Sequence, residues 1–81
     1  MEKFKILHAI QEIFIDILDN KNIILSEHSS PETIEGWDSI ANVNIIISVE
    51  SEFGIKFGID DIQRVKKVGD IVEAVQKILR A

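Results

Sequence analysis

Three stretches of this chain repeat apolar residues at steps of three and four, the spacing that gathers side chains on one side of an α-helix. In the first, from about Lys3 to Asp19, the stripe is Phe4, Leu7, Ile10, Phe14 and Ile17, with Leu18 beside it. Ile6 and Ile13 widen the stripe, so this helix is expected to meet two neighbours. The second stretch runs from about Ser39 to Phe53, with Ile40, Val43, Ile46, Ile47, Val49 and Phe53 expected on its buried side. Its run Ile45-Ile46-Ile47-Ser48-Val49 would also suit a strand by propensity. The Asp38-Ser39 start is a cap signal and Gly54 is a left-handed stop, and both favour helix. The third stretch, about Val68 to Leu79, carries Val68, Ile71, Val72, Val75, Ile78 and Leu79. Asp70 in its first turn and Lys77 and Arg80 near its end complement the helix dipole.

Between the first two stripes lies a long connection, Asn20 to Asp38, rich in turn formers. A loop of that length in a small domain is functional or carries its own packing. Ile23, Ile24, Leu25, Ile34 and Trp37 are expected to pin it to the core, and Ser30-Pro31-Glu32-Thr33 to form one helical turn with Ser30 as cap. A short third helix is expected over Ile59 to Val65, capped by Asp60 or Asp61. The expected fold is all-α: a small four-helix bundle of three main helices and a short third one, with a long loop between helices one and two.

The chain has 81 residues, room for one domain spanning 1–81. With no cysteine, disulfides and thiolate metal sites are excluded, and the core must come from apolar packing. Fourteen acidic residues against nine basic ones, net −5, disfavour nucleic acid and anionic membranes as partners. Such a surface suits a protein partner with a basic docking patch. No apolar run approaches the roughly 20 residues of a membrane span, and the N-terminus lacks the pattern of a signal peptide. A cytoplasmic monomer is expected.

Chemistry concentrates in Gly36-Trp37-Asp38-Ser39-Ile40-Ala41-Asn42-Val43. This stretch places a serine hydroxyl where an amphipathic helix begins, after a long loop. Free N–H groups and the positive dipole end make that position hospitable to a phosphate on Ser39. Ile40 and Val43 offer a docking protein an apolar handle beside it. Trp37 is expected to pin the loop. A triad of Ser39 with His8 or His28 and Asp38 is rejected, because adjacent Asp and Ser leave no place for a base between them. Asp60, Asp61 and Glu52 lack calcium-loop spacing and read as a solvated acidic face. Glu50 and Glu52 stand in the last turn of helix two, against its dipole, so another use for these charges is expected.

At these residues the chain resembles the acyl carrier protein family. The motif is Asp38-Ser39-Ile40, and the likeness continues through Val43, Glu50, Glu52-Phe53-Gly54-Ile55, Asp60-Asp61 and Val68-Gly69-Asp70. The resemblance implies a non-catalytic carrier. Ser39 would bear 4′-phosphopantetheine, transferred from coenzyme A by a phosphopantetheinyl transferase, and the arm's thiol would hold cargo as a thioester. Asp38 and Ile40 would serve transferase recognition. Ile40, Val43, Ile47, Glu50 and Glu52 would form the face that loading and processing enzymes read. Val49, Phe57, Ile62, Val65 and Ile71 match positions that line an acyl pocket.

Departures from the family pattern shape the expectation. Ala41, Asn44 and Ser51 stand where fatty-acid carriers usually have acidic residues, so the face is less negative. Ile62 and Ile71 are bulky where alanine is common, which implies a pocket too full for a long acyl chain. Lys67 replaces the usual capping Thr or Ser of helix four. The first reading is therefore a carrier for fatty-acid-like, polyketide-like or other specialised acyl biosynthesis. The alternatives are an aminoacyl carrier, D-alanyl or peptidyl, and an unmodified helical interaction module whose Ser39 is only a cap.

Overall fold

The computed structural model describes residues 2–80. They form four helices and no strand: α1 Lys3–Leu18, α2 Ser39–Phe53, α3 Ile59–Gln63 and α4 Val68–Arg80. The all-α architecture, with its long α1–α2 loop and short α3, is the one the periodicity predicts. Among the described residues no helix is long and apolar enough to cross a membrane.

α1 packs on both α2 and α4. Its inward line is Ile6, Ile10 and Phe14, all fully buried, while Leu7, Ile13, Ile17 and Leu18 flank it half-buried. Phe4, expected in the stripe, is 65% exposed. Steps of four select Ile6-Ile10-Phe14, and Phe4 falls off that line in the first turn. The helix stops at Asp19, which takes a left-handed conformation (φ 50°) and donates its N–H to the Ile15 carbonyl.

α2 keeps its expected bounds. The Asp38 carboxylate accepts the Ala41 N–H at 2.8 Å, and Gly54 ends the helix at φ 64°. The expected buried side needs correction. Ala41, Ile45, Ile46 and Val49 are buried and Phe53 half-buried, whereas Ile40, Val43 and Ile47 are 76%, 57% and 57% exposed. Apolar residues surround α2 almost entirely, so periodicity alone does not select a face.

α3 is shorter than expected and begins from Gly58 rather than an aspartate. Asp61 instead reaches back, its Oδ2 accepting the Gly58 N–H at 3.0 Å. α4 lacks a hydroxyl cap, as Lys67 implies. Its start is satisfied in two other ways. Asp70 Oδ2 accepts the N–H groups of Lys66 (2.8 Å) and Lys67 (3.2 Å). The N–H groups of Val68 and Gly69 donate to the carbonyls of Ser29 and Glu27, each at 2.8 Å. The long loop thus serves as a cap for a distant helix.

That loop is pinned by Ile23, Leu25 and Trp37, all buried, and half-buried Ile34. Ile24, expected among them, is 83% exposed. In an extended stretch its neighbours Ile23 and Leu25 face inward, which turns Ile24 outward. The Leu25 N–H also donates to Gln11 Oε1 of α1 at 2.9 Å. One turn forms at Ser30, whose carbonyl accepts the N–H groups of Thr33 and Ile34, both at 2.9 Å. Its side-chain cap is reversed from expectation: the Ser30 N–H donates to Thr33 Oγ1 at 2.9 Å.

Candidate functional site

The loop reaches α2 through a tight sequence of turns. Trp37 N–H donates to the Ile34 carbonyl at 3.2 Å and Asp38 N–H to the Gly36 carbonyl at 3.0 Å. Gly36 has φ 89°, a conformation that favours glycine. Trp37 then drops into the core and meets Phe14 edge to face, ring centres 4.9 Å apart at 87°. Its indole Nε1–H donates to Asn42 Oδ1 at 2.9 Å. One residue later, Asp38 caps the helix.

Ser39 follows as the first residue of α2, and it is exposed. Two fixed points hold its backbone: Trp37 on the core side and Asp38 on the helix side. Ala41 N–H is taken by the Asp38 carboxylate and Asn42 N–H by the Asp38 carbonyl at 2.8 Å. The N–H groups of Ser39 and Ile40 come too early in the helix to find an acceptor within it. They and the positive helix end form a favourable setting for a phosphodiester on the Ser39 oxygen. A cleft of about 240 Å³ opens beside the hydroxyl, lined by Pro31, Trp37, Asp38, Ser39, Asn42 and Val65. Nearby, hydrogen bonds from the Ser30 hydroxyl and from its own backbone N–H hold the Glu32 carboxyl below the usual range.

The carboxylate of Asp38 is committed to the helix start rather than to a histidine, and His8 lies on α1 within 3.8 Å of Glu12. Among the described residues no group of three or more His, Asp or Glu side chains is arranged to hold a metal ion.

The residues expected to form the partner face divide in two. Ile40, Val43 and Ile47 lie exposed along one line of α2 beside Ser39. Glu50 is half-buried, and its Oε2 accepts the Phe57 N–H at 2.8 Å, tying the end of α2 to the following loop. Glu52 is exposed and lines a cleft with Ala9, Glu12, Ile13 and Asp16, on the α1 side. The five acyl-pocket positions divide as well. Val49 and Ile71 are fully buried in the core, Phe57 and Val65 half-buried, and Ile62 38% exposed. Val65 lines the cleft at Ser39.

Sequence reasoning missed Asn42 and Pro31. Asn42 accepts the indole N–H, and both residues line the cleft. The signal for Asn42 was a polar residue one turn into a helix that follows a buried tryptophan, since a buried indole N–H needs an acceptor.

Known proteins share this fold. No family model matches the chain. It is 32% identical over 76 residues to an acyl carrier protein of Phenylobacterium zucineum, covering 94% of this chain and 96% of that one. Over 44 residues, 54% of each chain, it is 41% identical to an acyl carrier protein of Thermotoga maritima. Its fold superposes with a TM-score of 0.84 on the solution NMR structure of a holo acyl carrier protein from Geobacter metallireducens. That pair shares 36% identity, with 91% of this chain and 85% of the other covered.

Proposed function

This chain belongs to the acyl carrier protein family, and from that premise we propose that Ser39 carries 4′-phosphopantetheine and presents a tethered acyl group to partner enzymes. The observation that carries this reading is the exposed Ser39 hydroxyl at the start of α2, with a cleft beside it and unclaimed N–H groups next to it. The surroundings fit the group: a phosphodiester there meets N–H donors and a helix end, and no buried charge opposes it. When attached, the arm supplies a terminal thiol that holds cargo as a thioester. The protein's own contribution is positional. Asp38 and Trp37 fix the attachment point, and the tether keeps cargo at high effective concentration near docked enzymes.

The transferase that modifies Ser39 is a separate enzyme, and Asp38 and Ile40 flank the hydroxyl it must reach. The cargo belongs to a fatty-acid-like, polyketide-like or other specialised acyl pathway. Full burial of Val49 and Ile71 and the bulk of Ile62 support short cargo over long chains.

Incubation of the apo protein with coenzyme A and a broad-specificity phosphopantetheinyl transferase, followed by intact mass measurement, tests the assignment. A gain of one arm that disappears in Ser39→Ala is the expected result. No gain with several transferases overturns it and leaves an unmodified interaction module.

A further inference from the structure

The solvent face of α2 beside Ser39 carries no charge. No residue from Ser39 to Val49 is a lysine, arginine, aspartate or glutamate. Its outward line is Ile40, Val43 and Ile47, all more than half exposed, with exposed Asn44 between them and exposed Ser51 beyond. The seven rises from Ile40 to Ile47 make this strip about 10 Å long. The flanking acids stand at its end or off it: Glu50 closes the line, about 20° around the helix from Val43. Glu50 is half-buried and its Oε2 holds the Phe57 N–H. Glu52 lies about 140° around the helix from Ile47, in the cleft with Glu12 and Asp16. The carboxylate of Asp38 is occupied by the Ala41 N–H. All fourteen acidic residues lie outside Ser39–Val49, with Asp38 and Glu50 at its two ends.

We infer that enzymes acting at Ser39 grip this carrier through an uncharged, apolar surface of their own, and not through a basic patch. The inference rests on the carrier reading above. Three apolar side chains in a line beside the attachment point gain from burial, at roughly 25 cal/mol per Å² of apolar area removed from water. A lysine or arginine placed against the middle of the strip would lose hydration without meeting an opposite charge there. A second copy of this chain is the poorer occupant, because a protein seated permanently on Ile40 covers the neighbouring Ser39. This local reading departs from the expectation of a basic docking patch, which rests on overall charge.

The transferase is the first enzyme that must dock here, so it serves as the probe. Its KM for the apo protein is measured between about 0.1 M and about 1 M salt, over which the Debye length falls from about 10 Å to about 3 Å. KM is expected to change less than about twofold, where a contact resting on several ion pairs weakens steeply with salt. Val43→Asp and Ile47→Asp are each expected to raise KM about tenfold, a loss of about 1.4 kcal/mol. Both side chains are exposed, and thermal melts confirm that the variants fold. Asn44→Asp restores a family-like acid and is expected not to lower KM. A KM that climbs steeply with salt, or falls in Asn44→Asp, overturns the inference while mass gain at Ser39 leaves the carrier reading intact. A dimer dispersed by Val43→Asp overturns it also, in favour of a second copy. No mass gain under any condition removes the carrier reading, and this inference with it.

Discussion

The Gly69 N–H donates to the Glu27 carbonyl at 2.8 Å, and a methyl group on Gly69 would meet that same oxygen at 2.9 Å. A real Cβ does not come so close to a backbone oxygen, so this contact between α4 and the long loop requires that residue 69 have no side chain. In an unpacked helix Gly→Ala would gain about 1 kcal/mol. Here overpacking costs about 1–3 kcal/mol and pushes the Glu27–Ser29 segment off the helix start. Gly69→Ala is expected to lower the melting temperature by about 5–10 °C, measured by circular dichroism. A higher melting temperature would show that the loop yields freely.

Trp37 and Asn42 act as a pair. Asn42→Ala leaves a buried indole N–H without its acceptor and is expected to cost about 1–2 kcal/mol in denaturant unfolding. In a Trp37→Phe background the same change is expected to cost markedly less, because no donor remains to be orphaned. Equal costs in both backgrounds would show that the two side chains are not coupled.

Glu50 works within the fold. Glu50→Ala is expected to destabilise by about 1.5–3 kcal/mol, the range for a hydrogen bond to a charged group. Glu50→Gln retains an acceptor oxygen and recovers much of the loss. Hydrogen exchange at the Phe57 amide reads the contact directly: protection drops in the alanine variant and persists in the glutamine variant. Unchanged exchange in Glu50→Ala would leave this carboxylate free for partners.

Asp70 makes stability depend on acid. Partial burial raises its carboxyl, but the N–H groups of Lys66 and Lys67 and the Lys67 ammonium at 3.4 Å outweigh it and hold the group below the usual aspartate range. A folded-state value below the unfolded one gives stability that is full above the ordinary aspartate pKa of about 4. That stability is lost as pH falls through the folded value. The difference in unfolding free energy between wild type and Asp70→Ala is therefore expected to be constant near neutrality and to shrink below about pH 4. A difference that grows on acidification contradicts the sign.

Loaded forms test the cargo reading. With Val49 and Ile71 fully buried among core side chains, a long acyl chain has to displace packed residues before it is sheltered. The long-chain form is expected to melt no higher than the short-chain form. A long-chain form that melts higher would place an accessible cavity inside the bundle.

The start of α2 is legible in the amino-acid sequence because its signals are local. Asp38 and Gly54 bracket the helix through hydrogen bonds that span three and four residues, and the order Trp37-Asp38-Ser39 marks the candidate site. Less legible are contacts between residues far apart in the chain. Glu27 and Ser29 capping α4, and Gln11 holding Leu25, join segments whose sequences carry no mark of one another. Glu50 reaching Phe57 shows the middle case: its conflict with the helix dipole signals another use but does not name the partner.

By itself the sequence determined where helices form, where they stop and which hydroxyl stands at the head of α2, since periodicity, caps and left-handed stops act over one turn. Tertiary structure decided which side of each helix turns inward. On α2, isoleucines and valines occur all the way round, so burial of Ile45, Ile46 and Val49 and exposure of Ile40, Val43 and Ile47 follow only from where α1 lies. Hydrophobic burial has no direction of its own, and a helix apolar on every side takes its orientation from its neighbours.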